Sequence, residues 1–113
     1  MIEALFLTNE QDRIWSFEIR GHAGFAPSRD PDIVCAAVSA LSLNTVNGLE
    51  KFSTDPVQYE MNEDGFLSLR VEAVRRGGGS SDTDLILNLL RLGLQSISET
   101  YGKNVLVQVC KRT

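Results

Sequence analysis

The sequence predicts an α+β domain, a two-layer sandwich in which two helices cover one side of a largely antiparallel five-stranded sheet, in the order ββαββαβ. Three observations predict it: two pairs of short alternating segments joined by polar turns, two stretches with apolar residues at helical spacing, and a closing alternating segment, "NVLVQVCK". Paired hairpins favour antiparallel neighbours, and amphipathic helices then bury their apolar sides against one sheet face. With 113 residues, 42% hydrophobic and 23% charged, the chain is expected to be one domain, 1–113, with a core that needs no cross-links.

Residues 2 to 8 read as a strand, "NEQDR" as a turn, and "IWSFEIR" as a second strand in which Trp15, Phe17 and Ile19 alternate with Ser16, Glu18 and Arg20. Trp15 and Phe17 are expected in the core or in a dimer face. From Asp32 to about Lys51 the spacing turns helical, with Val34, Val38 and Leu41 on one side and Ala37 beside them. "PVQYEM" alternates through Val57, Tyr59 and Met61, "NEDG" turns the chain, and "FLSLRVEA" alternates through Leu67, Leu69 and Val71. After "RRGGGSSD", where Ser80, Ser81 or Asp82 is a candidate cap, a second helix carries Leu85, Ile86, Leu89, Leu90, Ile97 and Tyr101 and stops near Gly102. The last strand turns Val105, Val107 and Val109 to one face and leaves Cys110 as a strand-end residue without chemistry.

The apolar runs are short or interrupted, and "MIEALFLTNE" lacks a basic leader, so a cytoplasmic protein is expected, with both cysteines as thiols. The formal charge is -4, and the basic residues show only the pair Arg75 and Arg76 rather than a stripe. That balance argues against nucleic acid as a direct ligand and suits a basic peptide or protein.

The chemistry-bearing stretch is "GHAGFAPSRDPDIVCAAVSAL", residues 21 to 41, in which the only histidine, His22, precedes Cys35 by 13 residues. Asp30 before Pro31 suits an N-cap followed by a first helical residue, and Asp32 is a second candidate cap. Either assignment leaves Cys35 near the first turn, where unpaired backbone N–H groups and the helix dipole favour a thiolate. At about 100° per residue, Asp32, Cys35, Ser39 and Ser42 share a narrow polar stripe, set apart from Val34, Val38 and Leu41, which leaves the thiol open to approach. Glycines on both sides of His22 let the backbone bend and a substrate come close. Asp32 beside sulfur would disfavour the thiolate, so its catalytic service would be to orient His22 or hold the loop. From the residues alone two readings stay open: base and nucleophile, or a turn histidine and a cysteine packed in a core.

The stretch from Gly21 to Glu50 closely resembles the signature of the ribosomal-processing cysteine protease family, Prp. Its marks are Gly-His-Ala at a strand end and Asp-Ile-Val-Cys-Ala-x-Val-Ser opening a helix, and the likeness extends along the whole chain. The resemblance implies a cytoplasmic cysteine endopeptidase that removes a short N-terminal extension from a large-subunit ribosomal protein, working as a homodimer without a cofactor. By position, His22 matches the catalytic histidine and Cys35 the nucleophile, Asp32 and Ser39 match polar positions of the active site, and Gly21 matches the glycine before the histidine. Where relatives commonly carry a glycine and an aromatic residue before the aspartate, this chain has Asp30 and Pro31. "AGFAPSR" would form a mobile wall of the cleft.

Other constellations are weaker. "RRGGGSSD" lacks the lysine and spacing of a nucleotide loop. His22, Cys35 and Cys110 as zinc ligands lack paired Cys-x-x-Cys spacing, and no metal is expected. The rival from another class is a non-catalytic dimeric adaptor that grips a peptide or ribosomal protein by sheet edge and groove. A thioesterase would use the same Cys-His pair.

Overall fold

The structure, a computed structural model, describes residues 1–21, 33–62 and 65–113. The opening hairpin pairs β1 (Ile2–Thr8) with β2 (Ile14–Arg20). Its turn is organised by buried Asn9, whose Oδ1 accepts the N–H groups of Gln11 and Arg13 at 2.9 and 3.0 Å. Asp12 can therefore take its left-handed φ of 62°, a conformation that Asp tolerates in turns.

The chain continues through α1 (Ile33–Phe52), β3 (Gln58–Met61), β4 (Leu67–Arg70), a single turn α2 (Glu72–Arg75), α3 (Ser81–Thr100) and β5 (Val105–Lys111). The five-stranded sheet has the order β3-β4-β2-β1-β5. The β1/β2, β2/β4 and β3/β4 pairs are antiparallel, and β5 runs parallel to β1. β4 and β5 therefore point the same way, and α3 is the crossover that joins them past β2 and β1. The expected two-layer α+β fold is present, with the last strand making the sheet mixed.

The core lies between the helices and one sheet face. Phe6 and Phe17 sit directly opposite each other on β1 and β2, both fully buried, with ring centroids 6.1 Å apart. Burial of each ring is worth about 1.5–3 kcal/mol, and the aromatic pair adds about 0.5–1.5 kcal/mol. Trp15 and Phe17, expected in the core or in a dimer face, are both core residues. α1 is long and apolar enough to span a membrane by length and composition, but here it is a core helix: Val34, Val38, Val46 and Leu49 are buried.

Two elements depart from the sequence reading. The strand expected over "FLSLRVEA" ends at Arg70, because Val71 donates its N–H to the Trp15 carbonyl at 2.8 Å and its own carbonyl then accepts from Val74 and Arg75. Val71 and Val74 are buried three residues apart, the spacing of a turn rather than a strand. In α3 the core side is Thr83, Leu87, Leu90 and Leu94, whereas Leu85 and Leu89, expected inward, are exposed. The helix carries leucines on more than one side, so spacing alone did not single out the packed one.

The helix pair is locked by a carboxylate. Asp55, just past α1, accepts at Oδ2 from the Thr83 hydroxyl at 2.6 Å, the Ser80 N–H at 2.8 Å and the Ser80 hydroxyl at 3.2 Å. Ser80 is the N-cap of α3 and accepts the Thr83 N–H, while Ser53 bonds the Thr83 hydroxyl at 2.6 Å. The Thr83 hydroxyl holds the Asp55 carboxyl below its ordinary value against partial desolvation, and the Ser80 donors and Arg13 assist it. Asp55→Ala should cost about 1–2 kcal/mol at neutral pH through lost cap and carboxylate hydrogen bonds. A depressed carboxylate stabilises fully above its unfolded pKa and loses that contribution as pH falls through the folded one. Urea unfolding of wild type and Asp55→Ala should therefore differ more at pH 7 than at an acid pH below the ordinary aspartate range. A gap of the same size at both pH values would mean that the charge is not its source.

Candidate active site at the Gly21 end of the sheet

The strand register brings several chain ends together. Glu3 pairs with Arg20 and Ile2 with Val105, so the start of β1, the end of β2 and the start of β5 share one end of the sheet. Leu41 packs where a Cβ on Gly93 would stand, and Ser53 bonds Thr83, so α1 and α3 run antiparallel. α3 passes through Tyr101 into β5 at the Gly21 end, with Tyr101 N–H bonded to the Ile97 carbonyl. The start of α1 therefore lies toward that end too, which puts Cys35, in its first turn, at the same end of the sheet as Gly21.

Gly21 has a φ of 69°, and a Cβ there would overlap the Met1 carbonyl oxygen. Both facts require glycine at the residue from which His22 follows. His22, Asp32, the Asp30–Pro31 pair and "AGFAPSR" lie outside the described residues.

Cys35 is 2% exposed, Ser39 is half-buried and Ser42 is buried. The polar stripe expected to leave the thiol open is instead continuous with the packed side of α1, since Cys35 and Ser42 are buried along with Val34, Val38, Val46 and Leu49. Among the described residues the Ser42 hydroxyl has no hydrogen-bond partner, so the stripe carries a polar group into the core.

Cys110, exposed and paired in register with Leu7, is five residues along β5 from the Gly21 end, about 17 Å at strand rise. That separation does not suit a metal shared with Cys35. In the glycine-rich stretch, Gly77 and Gly79 have φ of 93° and 83°, and a Cβ on Gly79 would meet Val74 Cγ2 at 2.5 Å. The anion at the start of α3 is the Asp55 carboxylate, so this loop closes a structural turn rather than cradling a phosphate.

The profile of the family described as "Cysteine protease Prp" matches residues 1–106. The chain belongs to this family. The Prp of Bacillus subtilis (strain 168), a ribosomal processing cysteine protease, is 29% identical over 114 residues, covering 95% of this chain and 96% of the relative. Its counterpart in Staphylococcus aureus (strain NCTC 8325) is 26% identical over 107 residues, covering 93% and 95%. Among solved structures, S. aureus Prp with a covalently linked product peptide superposes with a TM-score of 0.84 at 24% identity, over 96% of this chain and 99% of that one. SMU.848 from Streptococcus mutans gives 0.80 at 29% identity, over 99% and 96%. The Prp fold thus accounts for the ββαββαβ order.

Proposed function

We propose that this chain is a cysteine endopeptidase that removes a short N-terminal extension from a large-subunit ribosomal protein, acting in the cytoplasm where its thiol stays reduced. The observation that carries the reading is a buried thiol in the first turn of α1, at the same end of the sheet as a glycine that must be glycine and that directly precedes the only histidine. In this mechanism His22 takes the Cys35 proton, and the thiolate attacks the scissile carbonyl. The tetrahedral oxyanion is held by first-turn N–H groups of α1, each donor worth a few kcal/mol. Collapse breaks the C–N bond, and protonated His22 gives its proton to the leaving amine. Water, deprotonated by His22, then cleaves the thioester and restores the thiol. Ser39 hydrogen-bonds sulfur or substrate, Asp32 orients His22 or anchors the loop, and Gly21 sets the direction in which His22 leaves β2.

The test is mass spectrometry of the matching ribosomal protein with its N-terminal extension, incubated with this protein beside a panel of thioesters. One specific cut in the extension with the thioesters left intact supports the endopeptidase. Thioester turnover with an intact protein substrate would make it an acyl hydrolase, and tight binding without turnover would make it an adaptor.

A homodimer is the second part of the proposal. Leu85, Leu89 and Leu92 project from one side of α3 at i, i+4 and i+7, each more than half exposed. A helix about 30 Å long and about 10 Å wide offers roughly 300 Å², the apolar centre of an interface that reaches ~800 Å² per partner once flanking residues are included. Leu89→Glu should convert the dimer to a monomer in light scattering at micromolar concentration with little loss of fold. A dimer that survives Leu89→Glu and Leu92→Glu together does not use this face.

A further inference from the structure

The helix layer stops short of one sheet edge. On the helix-facing side the register runs Tyr59, Leu69, Phe17 and Phe6 across four strands, and Met61, Leu67, Ile19 and Ala4 one step nearer the Gly21 end. Phe6, Phe17 and Leu69 are fully buried, yet Tyr59 and Met61 on β3 are 45% and 57% exposed. α3 packs over β5 and reaches β2, and α1 lies against α3; with α3 on the β5 side, the place left for α1 is over β2 and β4. β3 is left as an open apolar shelf along the flank of α1 that faces away from α3.

That flank can be assigned from helical geometry. Leu41 marks the α3 side, and the side turned about 160° from it carries Ser39, with Cys35 and Leu43 one turn before and after. Leu43 is 42% exposed and adds apolar surface to the same channel. Met61 is level with Ile19, near the end where Cys35 lies, and Tyr59 is level with Phe17, farther along α1.

Resting on the reading of Cys35 as nucleophile, we infer that Tyr59 and Met61, with Leu43 opposite, form the specificity shelf of the enzyme. An extended substrate peptide lies between β3 and α1 and sets an apolar side chain on the shelf while its scissile carbonyl meets Cys35. The occupant follows from continuity and chemistry: the channel leads from Cys35 along α1, and the outward groups on its β3 wall are a phenol ring and a thioether chain. A polar substrate side chain there would be desolvated without a partner, so the shelf rejects it.

The test compares wild type with the double variant Tyr59→Thr, Met61→Thr, in which threonine keeps strand propensity while removing the apolar surface. The substrates are a synthetic peptide spanning the cut in the ribosomal-protein extension and copies with single apolar residues near the cut changed to serine. Wild type should lose on the order of 10–200-fold in kcat/KM on one such replacement. The double variant should lose a similar factor on the unchanged peptide and become indifferent to that replacement, with its Tm and its rate of Cys35 alkylation by iodoacetamide kept. Wild type that cuts no peptide overturns the protease reading and the shelf with it. Wild type that cuts, beside a double variant with unchanged kcat/KM and unchanged preference, overturns the shelf alone.

Discussion

Cys35→Ala is expected to reduce cleavage of the extended ribosomal protein by on the order of 10⁴-fold or more, because in the proposed mechanism it removes the atom that attacks the carbonyl. What remains is whatever first-turn N–H groups and a general base achieve with water. The side chain is 2% exposed, so truncation to alanine leaves a small void and costs about 1 kcal/mol, too little to unfold the chain. Cys35→Ser keeps the volume but replaces a readily ionised thiol by an alcohol that stays protonated, and it should be nearly as inactive. Mass spectrometry of the substrate, with urea unfolding of each variant, separates chemistry from stability. Activity within tenfold of wild type in a folded Cys35→Ala protein would leave the cysteine as a packing residue.

Much of the fold was legible because its signals are local. The alternation in "IWSFEIR" and "NVLVQVCK" is the period of a strand with one covered face, and those strands appear where the spacing put them. The parallel course of β5 was not legible, since period-2 alternation carries no direction and only the crossover through α3 supplies it. In α3 the buried position 83 is a threonine, held inward by the Asp55 and Ser53 hydrogen bonds rather than by apolarity. A hydrophobic pattern gives no sign of such a position, although Ser80 and Thr83 at cap spacing hint at the helix start.

The site was legible in part for a different reason. Gly21 and Cys35 are close in sequence, so a strand end and a helix start were enough to put both toward one end of the sheet, while His22 lies outside the described residues. The clamp at Asp55 joins residues 28 positions apart, and no spacing rule reaches across that distance. The burial of Cys35 was misjudged because the polar stripe was set apart from a single apolar side, whereas the buried arc of α1 takes in Cys35, Ser42 and Thr45 beside the valines. The exposed apolar face of β3 was equally hidden, since "PVQYEM" alternates as a half-buried strand does and only the extent of the helix layer reveals that nothing described covers it.

Gly21→Ala is the second variant with a large expected effect, about a 10²-fold loss in kcat/KM with only a modest loss of stability. Alanine at a φ of 69° costs about 1–2 kcal/mol before any contact is considered. Its methyl would also overlap the Met1 carbonyl oxygen. Relief from the Met1 side is limited, because Ile2 is buried and its N–H donates to the Asn104 carbonyl at 2.7 Å. The softer route is for residue 21 to change its own backbone, which swings the chain direction at the peptide that leads into His22. A shift of about 1 Å in a catalytic base is enough for a loss of this size. The loss should fall on kcat rather than KM, since the β3 and α1 surfaces stay in place. A companion Gly21→Ala protein that begins at Ile2 removes the overlapping carbonyl but not the φ penalty, so it should recover part of the activity. Equal activity of Gly21→Ala and wild type at matched folded fraction would mean that the direction of the chain at Gly21 does not set the catalytic geometry.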